Sequence, residues 1–226
     1  VSPGIIASHL LPVCSEMKRA FPLVLVVCLG MGVWQNVGLA HDVVTDQVSI
    51  TSGHGHLFGM TPREGIARQA LSAGEEVLAI EAKGETGFVQ TTKHLFGFSG
   101  VLQRWVSINI SAGEHVLKWA VTPRMIIVQG HEAVYGFQSD RGRWKREPWG
   151  AGETLQKNAV ETHVAVMVTD RRALGFSAFT GGFFPRDLPA GNQIHEIQIN
   201  DNVVILHLSG FMLVFRSGLA IWAELP

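Results

Sequence analysis

Apolar residues in most of this chain come in short runs, not at helical spacing. Ala165-Val166-Met167-Val168-Thr169, Val203-Val204-Ile205-Leu206 and Ile126-Ile127-Val128 are rich in β-branched side chains and bounded by turn-forming residues. Runs of this length and composition predict buried strands. In the best-defined stretch, four of them follow one another, at about residues 163–169, 173–178, 182–188 and 193–199.

The runs recur. The pairs that begin at Ala73, Ala112, Ala151 and Ala190 repeat Ala-Gly in steps of 39 residues. Phe98, Phe137, Phe176 and Phe215 keep the same step, and so do Trp105, Trp144, Phe183 and Trp222. Gly97, Gly136 and Gly175 precede three of the phenylalanines, and Gly59-Met60 marks a weaker first copy, one residue out of step. A period near forty residues indicates a solenoid, a propeller or an array. Four strands per copy select the propeller blade. The expected fold is therefore all-β, a five-bladed β-propeller with four-stranded blades over residues 41–226. The fifth copy shows only three runs, about 203–207, 212–215 and 220–225. A strand at residues 43–45 is expected to complete it, so that the last blade is closed by an N-terminal strand and no sheet edge is left free.

Charge and cysteine content narrow the function classes. The formal net charge is −1, and removing residues 1–40, with Lys18, Arg19 and Glu16, leaves −2. That balance offers nothing to neutralise phosphates and argues against nucleic acid as the main partner. Cys14 and Cys28 both precede the repeats, which therefore hold neither a disulfide nor a thiolate. Residues 1–16 read as upstream sequence. Met17-Lys18-Arg19, the apolar residues 21–33 and the small residues around Ala40 then follow the order of a secretory signal peptide. An uncleaved membrane anchor over residues 21–40 is the alternative. A lipoprotein through Leu25-Val26-Val27-Cys28 is the third option, with Val27 a poor match to the small residue required there.

Few residues suggest chemistry. Cleavage after Ala40 would expose His41, which could join His54 or His56 in a copper brace; the plainer account is a residue that merely follows the cut. His54-Gly55-His56 could place two rings on one side of a strand, but it coincides with the first tight turn of the other copies. Glu75, Glu114 and Glu153 follow the Ala-Gly pairs, with Asn192 in the fourth copy. One per copy means that they spread around a ring, too far apart for an acid/base pair. Glycine supplies the positive φ of a turn there, and the next side chain satisfies backbone donors. The repeated aromatics are expected to pack between blades. Asp170-Arg171-Arg172 reads as a solvated hairpin turn, and Arg63-Glu64 likewise. One copy departs from the rest: residues 139–149 carry Arg141, Arg143, Trp144, Lys145, Arg146 and Trp149. Arginine and tryptophan dominate binding hot spots. Arg141, Arg143, Trp144, Arg146 and Trp149 are thus the candidate partner-binding residues. No phosphate loop, zinc spacing or nucleophile elbow is found, and no cofactor or metal is expected.

The markers Gly175-Phe176-Ser177, Phe183 and Ala190-Gly191-Asn192 resemble those of β-propeller repeats, over about residues 48–226. They lack the Gly-His and Trp-Asp signature of WD40 repeats and the double glycine of kelch blades. Tachylectin-type lectins resemble the chain in blade number, but their copies are far more alike. Five-bladed glycosidases bring carboxylates to a central funnel, whereas the runs at 126–129 and 203–206, expected innermost, are apolar. The expectation is an exported, non-enzymatic propeller, periplasmic or secreted in a bacterial envelope, that binds a protein partner or stabilises an assembly. A carbohydrate- or ligand-binding propeller is the alternative, and a pore-centred hydrolase the second one.

Overall fold

The computed structural model describes residues 43–44, 47–62, 65–191 and 193–226. The leader and His41 lie outside the described residues, as do Thr45, Arg63, Glu64 and Asn192. Every regular element among the described residues is a strand. No helix among them is long and apolar enough to cross a membrane.

Twenty strands form five four-stranded antiparallel sheets. The first holds β1 (Val43–Val44), β2 (Ser49–Gly53), β3 (His56–Met60) and β4 (Ile66–Ala70). The second holds β5 (Val77–Lys83), β6 (Thr86–Thr91), β7 (His94–Ser99) and β8 (Arg104–Asn109). The third holds β9 (Val116–Val121), β10 (Met125–Gly130), β11 (Ala133–Gln138) and β12 (Arg143–Pro148). The fourth holds β13 (Leu155–Val160), β14 (Val164–Thr169), β15 (Arg172–Ser177) and β16 (Gly182–Asp187). The fifth holds β17 (Ile194–Asn200), β18 (Val203–Leu208), β19 (Met212–Arg216) and β20 (Ile221–Leu225). Each sheet is a meander of strands consecutive in sequence.

This grouping corrects the expected phase by one strand. The run near residues 193–199 opens the fifth sheet instead of ending the fourth, so the fifth sheet is complete without an N-terminal strand. Val43–Val44 pairs inside the first sheet, Val43 opposite Ile50. The cause is local. The two residues Asp201-Asn202 join β17 to β18, which pair from Asn200↔Val203 to Ile194↔Leu208. A hairpin this tight outcompetes a pairing that must span a longer connection. The Ala-Gly elements consequently link one sheet to the next. Their glycines have the predicted positive φ, at Gly74, Gly113, Gly152 and Gly191. The apolar runs in β10 and β18 are second strands, flanked on both sides, not innermost ones. In β10 both faces are covered, Ile126 and Val128 packing with Phe88 and Leu95 of the second sheet and Met125 and Ile127 with Ala165 and Met167 of the fourth, whereas β18 buries Val204 and Leu206 against the fourth sheet and leaves Val203 and Ile205 half-buried.

The period of 39 residues has a packing cause. A Cβ on Gly97 would lie 2.7 Å from the ring of Phe137 in the next sheet. Gly59 meets Phe98 in the same way, Gly136 meets Phe176, and Gly175 meets Phe215. Only glycine leaves room for that approach. Each phenylalanine also packs on an aromatic opposite it in its own sheet, with ring centroids 5.0 Å apart for Phe98 and Trp105, 5.1 Å for Phe137 and Trp144, and 4.9 Å for Phe176 and Phe183. The indole N–H of Trp105 donates to Ala67 O at 3.1 Å, that of Trp144 to Val106 O at 3.0 Å and that of Trp222 to Phe184 O at 2.8 Å. Every acceptor lies on the fourth strand of the preceding sheet. The expected packing of the aromatics between sheets is what the structure contains.

Candidate functional site

Antiparallel meanders give the stack two ends. At one end lie the turns between second and third strands and the links between sheets. At the other lie the turns between first and second and between third and fourth strands.

The link end holds the glutamates. The Glu153 side chain is buried; its Oε1 accepts from Thr169 Oγ1 and Arg172 Nε, both at 2.8 Å, and its Oε2 from Gly150 N–H and Arg172 Nη2. Glu75 accepts from His94 Nδ1 at 2.7 Å, Ser72 N–H at 2.9 Å and Thr91 Oγ1. Glu114 accepts from Tyr135 OH at 3.1 Å and Glu132 N–H at 3.0 Å. Burial pushes the carboxyls of Glu75 and Glu153 up. The hydrogen bonds from Thr91, His94 and Ser72 in one case, and from Arg172, Gly150 and Thr169 in the other, outweigh it and hold both below the ordinary range. Burial pushes the Tyr135 phenol up, against the hydrogen bond from Arg146 and together with the Glu114 charge. These carboxylates do satisfy backbone donors, as expected, and more. Arg172 is not the solvated turn residue anticipated: its guanidinium also holds Glu147 at 2.7 Å and Pro148 O at 2.7 Å. Sequence spacing could have found this pair, because Thr91-x-x-His94 and Thr169-x-x-Arg172 sit at the same offset from their glutamates.

His54 occupies a turn with φ of 49°. His56 donates from Nδ1 to His54 O, 2.8 Å away, and accepts at Nε2 from Arg68 Nη2 at 2.8 Å. Among the described residues no group of three or more His, Cys, Asp or Glu is arranged to hold a metal. Glu81 on the edge strand β5 accepts the Trp119 indole N–H at 2.6 Å.

The five residues singled out in the third copy do not form one patch. Trp144 faces the second sheet, and its indole is bonded there. Trp149 is half-buried and donates to Gly130 O at 3.0 Å. Arg146 lies over the Tyr135 ring, 5.9 Å from its centroid, and approaches Glu132 at 3.9 Å. Arg141 and Arg143 are exposed and stand at the opposite, turn-tip end. Trp105, Trp144 and Trp149 are all half-buried and bonded through their indole N–H, so they do not make the exposed aromatic row that a sugar platform needs.

The turn-tip end has a feature that the sequence reading missed. Ile66, Val101, Leu102, Phe179, Leu219 and Ile221 are six of the nine exposed large apolar residues among the described ones, and all stand here. Leu102 and Leu219 occupy the same turn position as Arg141, and Val101 the same as Phe179. The tips are tied together: Gln138 Nε2 donates to Ala178 O and Phe179 O at 2.7 and 2.8 Å, Arg104 Nη2 to Arg141 O at 3.0 Å, and Arg143 Nη2 to Thr180 O. Phe179 stacks on His163 with centroids 5.0 Å apart and planes 9° from parallel. A fixed backbone therefore presents an apolar rim to solvent.

No family model matches the sequence, and no curated protein matches it. Solved structures with a similar arrangement include β-propeller or WD40-like domains. The N-terminal domain of Nup159 is 9% identical over 78% of this chain and 57% of its own, with a TM-score of 0.35. Hsv2p of Kluyveromyces lactis is 12% identical over 81% of this chain and 62% of its own, with a TM-score of 0.37. An extracellular domain assigned to a one-component system of B. thetaiotaomicron is 10% identical over 81% of this chain and 27% of its own, with a TM-score of 0.32. The chain thus spans less than two thirds of the length of each.

Proposed function

We propose that this chain is a closed five-bladed propeller whose turn-tip end binds a protein partner, in an exported and non-enzymatic role within an envelope assembly. The observation that carries the binding role is the exposed apolar rim. Six large apolar side chains gathered at one end of a rigid stack are what a docking face requires, whereas scattered exposed leucines would mean nothing. Closure of the ring is supported by complementary changes at its two ends. The fifth sheet has Val214 where the other four have the receiving glycine, and the first has Met60 where the others have phenylalanine. A flexible methionine suits a socket narrowed by valine. A non-enzymatic role is supported by the state of the link-end carboxylates of Glu75, Glu114 and Glu153, each of which is occupied by hydrogen bonds to its own sheet and the link before it.

The test is affinity capture from the native envelope with the wild-type chain and with a Leu102→Asp, Phe179→Asp double variant. The expected result is one or more proteins retained by the wild type and lost by the variant, at unchanged melting temperature. Equal retention by both, or no protein retained by the wild type, overturns the proposal.

A further inference from the structure

The turn-tip end also concentrates unneutralised positive charge. Five of the ten arginines among the described residues face a carboxylate: Arg124 holds Asp140 at 2.7 Å and approaches Glu85 at 3.6 Å, Arg172 holds Glu147 and Glu153, Arg186 holds Glu224, and Arg146 and Arg171 approach Glu132 and Asp170 at 3.9 Å. Arg68 meets His56 instead, and Arg216 stands apart on the fifth sheet. Arg104, Arg141 and Arg143 face none among the described residues, and all three are exposed. They are also adjacent. Arg104 Nη2 donates to Arg141 O, and a Cβ on Gly142 would meet both Arg104 Nε at 2.9 Å and Leu102 Cδ1 at 3.1 Å. Arg143 reaches Thr180 O, next to Phe179. The one carboxylate within the Arg141 turn, Asp140, is already taken by Arg124. Three guanidinium groups thus lie between Leu102 on one side and Phe179 on the other.

We infer that this patch, across the second, third and fourth sheets, binds an acidic segment of a protein, with carboxylates on the three arginines and apolar side chains against Leu102 and Phe179. Guanidinium groups whose donors point to solvent recognise carboxylates through charge-assisted hydrogen bonds. The backbone contacts of Arg104 and Arg143 fix two of them in place, which lowers the ordering cost of binding. Apolar side chains at both borders favour a peptide over a nucleic acid strand, and a chain of net charge −1 has no wider basic surface to follow a phosphate backbone. The stack on His163 holds Phe179 as a rigid anchor. This inference rests on the protein-binding role proposed above and names the partner's chemistry.

A labelled peptide alternating glutamate with leucine tests it, by anisotropy against the full chain. The comparison probes are the same peptide with lysine for glutamate, a single-stranded oligonucleotide, and vesicles rich in anionic lipid. The acidic peptide is expected to bind best and to weaken as salt rises. Arg104→Ser, Arg141→Ser and Arg143→Ser should each cost about tenfold in Kd, and Lys145→Ser should cost nothing. Undiminished binding by the triple arginine variant, no binding of the acidic peptide, or tighter binding of the oligonucleotide or the vesicles overturns the inference. If the triple variant still captures the envelope protein that Leu102→Asp, Phe179→Asp loses, the protein-binding role stands and the acidic-segment assignment falls.

Discussion

Arg172 at the link end and Arg104, Arg141 and Arg143 at the turn-tip end are the same residue type in opposite circumstances. Arg172 is half-buried, holds two carboxylates and a carbonyl, and closes the link between the third and fourth sheets. The three at the tips make backbone contacts at most and leave donors in water. The aromatics divide in the same way. Trp149 packs into the link end with its indole bonded, while Phe179 at the other end stays exposed against His163. Arg172 and Trp149 are explained by what they touch inside the molecule. For Arg104, Arg141, Arg143 and Phe179 that explanation is used up before the side chain is, and what remains faces outward.

The stack between the ends sets the scale for disturbing either. Trp144→Ala removes the ring that packs on Phe137 and the bond to Val106 O, and should cost about 3–5 kcal/mol in a urea titration. A loss below about 1 kcal/mol would mean that the ring adds little beyond a surface contact. Glu153→Ala comes next. It takes from the half-buried Arg172 one of its two carboxylates, leaving Glu147, removes the acceptor of the Gly150 N–H, and should cost about 2–3 kcal/mol. An unchanged unfolding curve would erase the distinction drawn between the ends.

The same carboxylates give a pH dependence of definite sign. The folded-state pKa values of Glu75 and Glu153 lie below the ordinary value. Their stabilisation is fully present above the unfolded-state pKa and is lost as pH falls through the folded-state values. Thermal scans should therefore show a level melting temperature down to about pH 5 and a decline below it, shallower in Glu153→Gln. Equal slopes in the two proteins would assign the acid sensitivity elsewhere. The smallest expected effect is at the tips. Phe179→Ser should leave stability within about 0.5 kcal/mol while reducing partner binding, and a large destabilisation would make Phe179 a structural residue like Trp149.

Much of the fold was legible because the 39-residue step is a record of contacts. Glycine and phenylalanine keep their places where a ring of one sheet enters the space above a glycine of the one before. The phase was not legible. A repeat looks the same wherever its boundary is drawn, and only the pairing of Ile194–Asn200 with Val203–Leu208 shows which strand opens a sheet. The candidate site was half legible. Arg141 and Arg143 were marked by composition, but so were Arg146 and Trp149, which the run of β12 from its turn tip toward the link carries away from them.

The sequence by itself determined the strand content, the copy number and the glycine turns, because each depends on neighbours a few residues away or on a period that one chain displays. The tertiary structure decided which charges are spent. Whether an arginine finds a carboxylate depends on groups 16 to 25 residues distant, as for Arg172 with Glu147 and Glu153, or Arg124 with Asp140. Linear distance carries no sign of such meetings, since folding brings together side chains that local spacing never pairs.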